Sequence, residues 1–322
     1  MKSSIRWYII IEVILAMLVI GVAFVMLQEQ GEEDLQQVSV IVPDSDDSQW
    51  NSFRYGLEMA AQDAGVELVL VSTEGSMTVQ EQEQIISQEI DSGADALIVQ
   101  PVWGDGTDEM LEKTGKRIPL MLTESMGNQE ETNLVVTEPD QYALGEALAE
   151  ELLKDYSGSL KGKSLGILAE SGSSYASGLR MAGFWEGVSH TGVELRWTVL
   201  GYQEGSGAEF LISKPQVDFV VVLDDTSMKV AGECAVSGGL QGALVYGIGN
   251  STESVYYLDT GSVECLVVPD RFQMGYQSLT EVVRSMNSYL RKMENGQVSH
   301  TVIRRDTLFS RENQEILFTM SQ

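Results

Sequence analysis

The stretch Ile90-Asp91-Ser92-Gly93-Ala94-Asp95-Ala96-Leu97-Ile98-Val99-Gln100-Pro101 sets the architecture of the chain. Its left end closes a helix running from about Val79 to Asp91, with Gly93 as the left-handed residue that ends it. Its right end, Ala96 to Val99, is four apolar residues in a row, which reads as a strand buried on both faces. A helix passing within a few residues into such a strand is half of a parallel strand–helix–strand unit.

The same unit repeats on both sides. Upstream, Val38-Ser39-Val40-Ile41-Val42 stops at Pro43 as a β-branched strand, Ser48 to Ala64 carries a helical stripe at Phe53, Leu57, Ala60, Ala61 and Ala64, and Leu68 to Val71 is a second strand. Downstream come a helix over about Asp108 to Thr114 and a strand at Ile118 to Leu122. A second series begins after Asp140. Its helices are expected at Tyr142 to Leu153, Gly178 to Val188, Ser227 to Val236, Thr252 to Leu258 and Met274 to Met293. Its strands are expected at Ser164 to Leu168, Glu194 to Leu200, Asp218 to Leu223, Ala243 to Ile248 and Val263 to Val268. The tail from Thr301 to Leu317 reads as strand-forming. The fold class is therefore α/β, two doubly wound parallel-sheet lobes, with ligand expected at the carboxyl ends of the strands.

Composition narrows the function. The 322 residues include 48 acidic and 20 basic ones, for a net charge of −28. That balance argues against nucleic acid and anionic lipid surfaces as partners, since both need clustered Lys and Arg. Two cysteines, Cys234 and Cys265, cannot build a disulfide scaffold or a structural zinc site, and two histidines leave little for imidazole chemistry. No nucleophile elbow, phosphate-cradling loop or His-Glu-x-x-His pair occurs, so no metal or cofactor is expected and an enzyme is disfavoured.

The first residues form a separate unit. Residues 7–27 are apolar except for Glu12 and long enough to cross the ~30 Å hydrocarbon core of a bilayer as a helix. Lys2 and Arg6 precede the run and an acidic segment follows, which orients residues 1–6 to the cytoplasm and everything after Gln28 outside. Residues 28–37 read as a tether. A cleaved leader ending near Gly21-Val22-Ala23 is the alternative.

Several motifs, in order, resemble the type I periplasmic solute-binding proteins, the ribose- and galactose-binding group whose fold also forms the sensor domain of LacI-type regulators. Gly93-Ala94-Asp95-Ala96-Leu97-Ile98-Val99-Gln100-Pro101 is similar to that family's G-x-D-A-I-I-x-x-P strand. Asp140-Gln141-Tyr142-Ala143-Leu144-Gly145 is similar to its D-N-Y-x-x-G helix start, Arg180-Met181-Ala182-Gly183-Phe184 to its R-x-x-G-F helix, and Asp224 to Met228 to its N-D-x-M/A turn. The resemblance implies a two-lobed clamp traversed three times by the chain. One lobe would take 38–137 with 270–300, and the other 138–269 with 301–322. The implied partners are a small polar, sugar-like ligand and a transporter permease or membrane sensor kinase. A DNA-binding regulator does not fit, because the span occupies the head's position.

Carried over position by position, the resemblance points to Asp47, Gln49 and Trp50 after the first strand, Trp103 after the third and Glu124 after the fourth. It adds Arg180, Asp224, Asn250 and Asp270 in or near the second lobe. Trp50 and Trp103 would stack on a sugar face, although Trp50 equally suits packing in the first turn of its own helix. Glu124 would accept hydroxyl hydrogen bonds, or stay solvated in its loop. Arg180 offers a planar fork of donors. Gly249 stands where relatives carry an Asp, with Asn250 after it, and no late Gln occurs near Pro269-Asp270. The carboxylate-rich set Asp47, Glu124, Asp224 and Asp270 leaves a sugar or polyol and an amino-bearing ligand both open.

Overall fold

Parallel pairing with right-handed crossovers puts helices over both faces of a sheet, and the buried strands then become continuous apolar runs. Phe219-Val220-Val221-Val222 and Ala96-Leu97-Ile98-Val99 are such runs, buried at every position. The computed structural model describes residues 17, 35–43, 48–71, 73, 77–102, 104–123, 134–169, 175–201, 208–288 and 291–317. By its contacts the chain divides into two units, Met1–Gln36 and Gln37–Gln322. Apart from Met17, the expected span at 7–27 lies outside the described residues, among which no helix is long and apolar enough to cross a membrane.

The second unit opens with β1 (Gln37–Ile41), α1 (Asn51–Ala64), β2 (Glu67–Val71), α2 (Val79–Asp91) and β3 (Ala96–Val99). It continues through α3 (Thr107–Gly115), β4 (Leu120–Leu122), β5 (Val135–Pro139), α4 (Gln141–Asp155), β6 (Ser164–Ala169) and α5 (Tyr175–Val188). Then come β7 (Glu194–Leu200), α6 (Glu209–Ile212), β8 (Phe219–Val222), α7 (Asp225–Val236), β9 (Leu244–Ile248), α8 (Thr252–Thr260) and β10 (Cys265–Pro269). Last are α9 (Arg271–Met286), β11 (Gly296–Val298), β12 (His300–Arg304) and α10 (Arg311–Leu317).

Two six-stranded sheets result, ordered β11-β5-β4-β3-β1-β2 and β12-β10-β9-β8-β6-β7. Every pairing is parallel except β10 with β12. The chain passes between the sheets at β5–α4, β10–α9 and β11–β12. Alternate residues of each strand feed separate cores on opposite faces. Val220 and Val222 pack with Met228 of α7 and Leu258 of α8, whereas Phe219 and Val221 pack with Leu148 of α4 and Phe184 of α5.

Each lobe contains the same close helix crossing. The helix after the first strand of the sheet meets the helix that has just arrived from the other lobe, and the contact is made through glycines. A Cβ on Gly56 of α1 would strike the Phe272 carbonyl of α9, and one on Gly275 would strike that of Phe53. A Cβ on Gly145 of α4 would strike the Arg180 carbonyl of α5, and one on Gly183 that of Tyr142.

At the edge of the second sheet the register between β6 and β7 shifts between Leu165 and Gly166, so that Arg196 is an extra residue on β7. The bulge brings the Trp197 ring over Gly166, where a Cβ would collide with it, and the indole Nε1 donates to the Pro215 carbonyl at 3.0 Å. Arg196 itself pairs with Glu194 at 3.0 Å.

Some elements depart from the sequence reading. The tail forms only the short strand β12 before turning into α10, because the Ser310 hydroxyl caps the Asn313 N–H (3.3 Å) and starts a helix. Helix α9 starts earlier than Met274, since the Asp270 carboxylate accepts the Gln273 N–H at 2.9 Å, and it stops at Met286. Strands β5 and β11 were not expected; they pair with one another across Gly296–Thr137 to Val298–Pro139 and complete the first sheet.

Candidate functional site

The carboxyl ends of the strands and the crossings between sheets gather the described candidates. Arg180 lies in α5 and is 8% exposed. Its Nε donates to the Gln141 side-chain oxygen at 2.6 Å, and its Nη1 donates to the Leu223 carbonyl, just past β8, at 2.8 Å. Both acceptors are neutral, and among the described residues no carboxylate reaches it. Gln141 is the first residue of α4, directly after the chain enters the second lobe, and is 2% exposed. An Nε–H can only donate, so the Gln141 amide oxygen faces the arginine and its NH2 faces away. That Nε2 is buried without a hydrogen-bond partner.

Asp224 and Asp270 serve as helix caps. The Asp224 Oδ1 accepts the Ser227 N–H at 2.8 Å at the start of α7, and Asp270 does the same for α9. The neighbouring Asp225 is the bridging carboxylate. Its Oδ1 accepts from the Asn250 N–H (2.7 Å), the Ser251 N–H (3.0 Å) and the Ser254 hydroxyl (2.9 Å), which ties the end of β8 to the turn before α8. A Cβ on Gly249 would sit 2.6 Å from that same oxygen. A side chain at position 249 is thereby excluded, because the carboxylate reaches this turn from the first residue of α7. Asn250 thus holds its place in the turn through its main chain.

Trp50 is 3% exposed and packs edge-on to Phe53 at 5.6 Å in the first lobe's core. The Arg271 guanidinium covers its ring at 4.5 Å from the centroid. Asp47, Trp103 and Glu124 lie outside the described residues, and of Gln49 only the backbone is described, within the 3-10 turn Ser48–Trp50.

The rims of the two lobes touch. The Ser48 hydroxyl accepts the Thr252 N–H at 3.3 Å and donates to Glu253 at 3.4 Å, and the Ser52 hydroxyl donates to the Ile316 carbonyl at 3.3 Å. Among the described residues no cluster of His, Cys, Asp or Glu could hold a metal ion. Cys234 and Cys265 are buried free thiols, and burial pushes the Cys265 thiol up to about 12, where it is unreactive.

Sequence reasoning named Arg180 but missed Gln141, Asp225 as a bridge, and Arg271. Gln141 stood inside a motif read only as a helix start. Arg271 follows Asp270, the aspartate expected at the ligand, whose Oδ1 caps α9.

No curated protein matches the chain in sequence. The fold matches a carbohydrate transporter solute-binding protein from Agrobacterium radiobacter solved with D-arabinose, at 16% identity and TM-score 0.76, covering 89% of this chain and 100% of that one. It also matches GanP, a glucose-galactose binding protein from Geobacillus stearothermophilus, at 18% identity and TM-score 0.74, covering 85% and 99%. A structure described as a XylFII-LytSN complex matches at 13% identity and TM-score 0.71, covering 84% and 98%. The family model described as a periplasmic binding protein domain spans residues 38–288, and with two α/β lobes, each on its own six-stranded sheet, the chain belongs to that family.

Proposed function

We propose that this protein is an extracytoplasmic solute-binding protein, held at the membrane by residues 7–27, that captures a small polar ligand, a sugar or related polyol, by closing its lobes and hands it to an ABC-type permease. Its action is binding without catalysis. The observation that carries this reading is Arg180, a buried guanidinium at the carboxyl end of the second sheet whose described partners are two neutral oxygens. A buried cation without a counter-charge is costly to maintain, and an acceptor-rich ligand in the cleft supplies the missing hydrogen bonds. The sugar-bound solved structures that share the fold support the ligand class.

A thermal-shift screen of the full chain against sugars, polyols, amino sugars and nucleosides tests the reading. A ligand at 100 times its Kd raises stability by about 2.7 kcal/mol through mass action. No shift with any compound at millimolar concentration overturns it. A second reading, a receptor subunit that presents its bound ligand to a membrane sensor kinase, is favoured by the XylFII-LytSN complex among the similar folds. Co-purification with a permease or with a kinase separates the two.

A further inference from the structure

Helix α5 is apolar almost all round. Its only charged residues are Arg180, which is buried, and Glu186, which accepts the Tyr142 hydroxyl at 3.0 Å. A helix of that composition is normally covered on every side. Here one side is open: Tyr175 is 40% exposed, Gly178 and Ala182 are exposed, and Leu179 and Trp185 are half-buried. Other helices spend such positions on polar groups, Glu58, Gln62 and Asp63 on α1 and Glu146 and Glu150 on α4. Because α5 packs on α4 through Gly183 and Gly187, its open side turns toward the β7 edge of the sheet. There Leu195 and Leu200, in register with Leu165 and Ala169 of the core that α5 covers, are exposed as well.

The residues of that side form a seam. Tyr175, Gly178, Ala182 and Trp185 recur at alternating three- and four-residue steps, the spacing at which one helix meets another. Small residues hold its centre and aromatic ones its two ends, placed symmetrically about position 180. Turned about a two-fold axis, such a seam is its own complement: Gly178 of one copy meets Ala182 of the other, and Tyr175 meets Trp185. Charge points the same way. A chain of net charge −28 repels its own copies wherever acidic surfaces meet, whereas this side brings only the bonded Glu186 and the Glu194–Arg196 ion pair.

We infer that two copies of this chain associate through α5, the helices antiparallel and the second lobes in contact. The association does not depend on what the cleft binds. Because the seam is apolar and the rest of the chain acidic, added salt tightens the pairing by screening the repulsion.

Sedimentation equilibrium of the full chain in density-matched detergent, at about 100 μM, tests the inference at a concentration suited to a small interface. The expected result is a dimer whose dissociation constant falls severalfold between about 50 and 500 mM salt. Ala182→Glu sets a carboxylate at the centre of the seam in both copies and should weaken the dimer by about tenfold or more. Tyr175→Glu should do the same from the end of the seam. Both positions are exposed in the single chain, so the helical circular dichroism and the urea midpoint of dilute protein should match the parent. If one variant does not fold, the other carries the test. A parent that is monomeric at this concentration overturns the inference. So does a dimer that the folded carboxylate variants leave intact, which would place the contact elsewhere, or one that weakens as salt rises.

Discussion

Burial alone would raise the carboxyl of Glu151, yet hydrogen bonds from Lys154 and from Arg304 (Nε, 2.7 Å) outweigh it and hold the group below its ordinary range. Arg304 lies on β12 and also reaches Asp155, which accepts the Tyr246 hydroxyl at 2.6 Å, so the returning strand is fastened to α4 by charge. Because the folded value is depressed, the stabilisation is complete above the unfolded carboxyl's value of about 4.3 and is lost as pH falls through the lower folded value. Arg304→Gln should therefore lower stability by about 2–3 kcal/mol at pH 7. The gap from the parent should shrink in melts taken stepwise down toward pH 3; a gap independent of pH would exclude the charge pairing. Asp225→Ala should cost about 2–4 kcal/mol in urea unfolding, since two backbone N–H groups and a hydroxyl lose their acceptor. At this scale the sequence was only partly legible. Arg180 was readable as a donor fork, but what makes it informative is the orientation of Gln141, 39 residues away, and no local pattern encodes which way an amide turns.

The crossing of α4 and α5 is the element-scale counterpart of that pair. Gly145 lets the two backbones approach until its face lies against the Arg180 carbonyl, so the helix contact and the position of the guanidinium are set together. Gly145→Ala should destabilise by about 1–3 kcal/mol through overpacking and also weaken ligand binding severalfold. Gly178 on α5 meets nothing within 4 Å, and Gly178→Ala should be neutral or stabilising by up to about 1 kcal/mol. Melting midpoints of the two variants side by side check this, and equal effects would refute the role given to the crossing. Element identity was legible wherever a strand was buried on both faces, as at β3 and β8. It failed where tertiary contacts decide. β5 carries Thr137 and Glu138 and is completed by β11, which arrives from far along the chain. The helix α10 depends on one serine cap and on Ile316 and Leu317 finding the second lobe's core.

At the scale of the molecule, the lobes touch at Ser48 with the start of α8 and at Ser52 with α10. Because α10 packs on the second lobe while its Ile316 carbonyl receives a bond from the first, it bridges the two lobes and is expected to act as a clasp when they close on a ligand. Ending the chain after Ser310 should raise both the association and dissociation rates of the ligand several-fold, with a smaller change in affinity. Stopped-flow fluorescence reads both rates, and unchanged rates would remove the clasp. The two-lobed architecture was legible because alternation of strands and helices is a property of the whole chain, whereas the touching rims were not, since they join residues some two hundred positions apart. The bulge at Arg196 has a further consequence for how such a protein survives in crowded surroundings. Among the described residues β7 is the longest strand, seven residues, and lies at a sheet edge with Leu195 and Leu200 exposed. An edge like that invites a foreign chain to dock and grow into a fibril, but an extra residue in the middle of the strand breaks its spacing, and an ion pair set on it keeps it wetted.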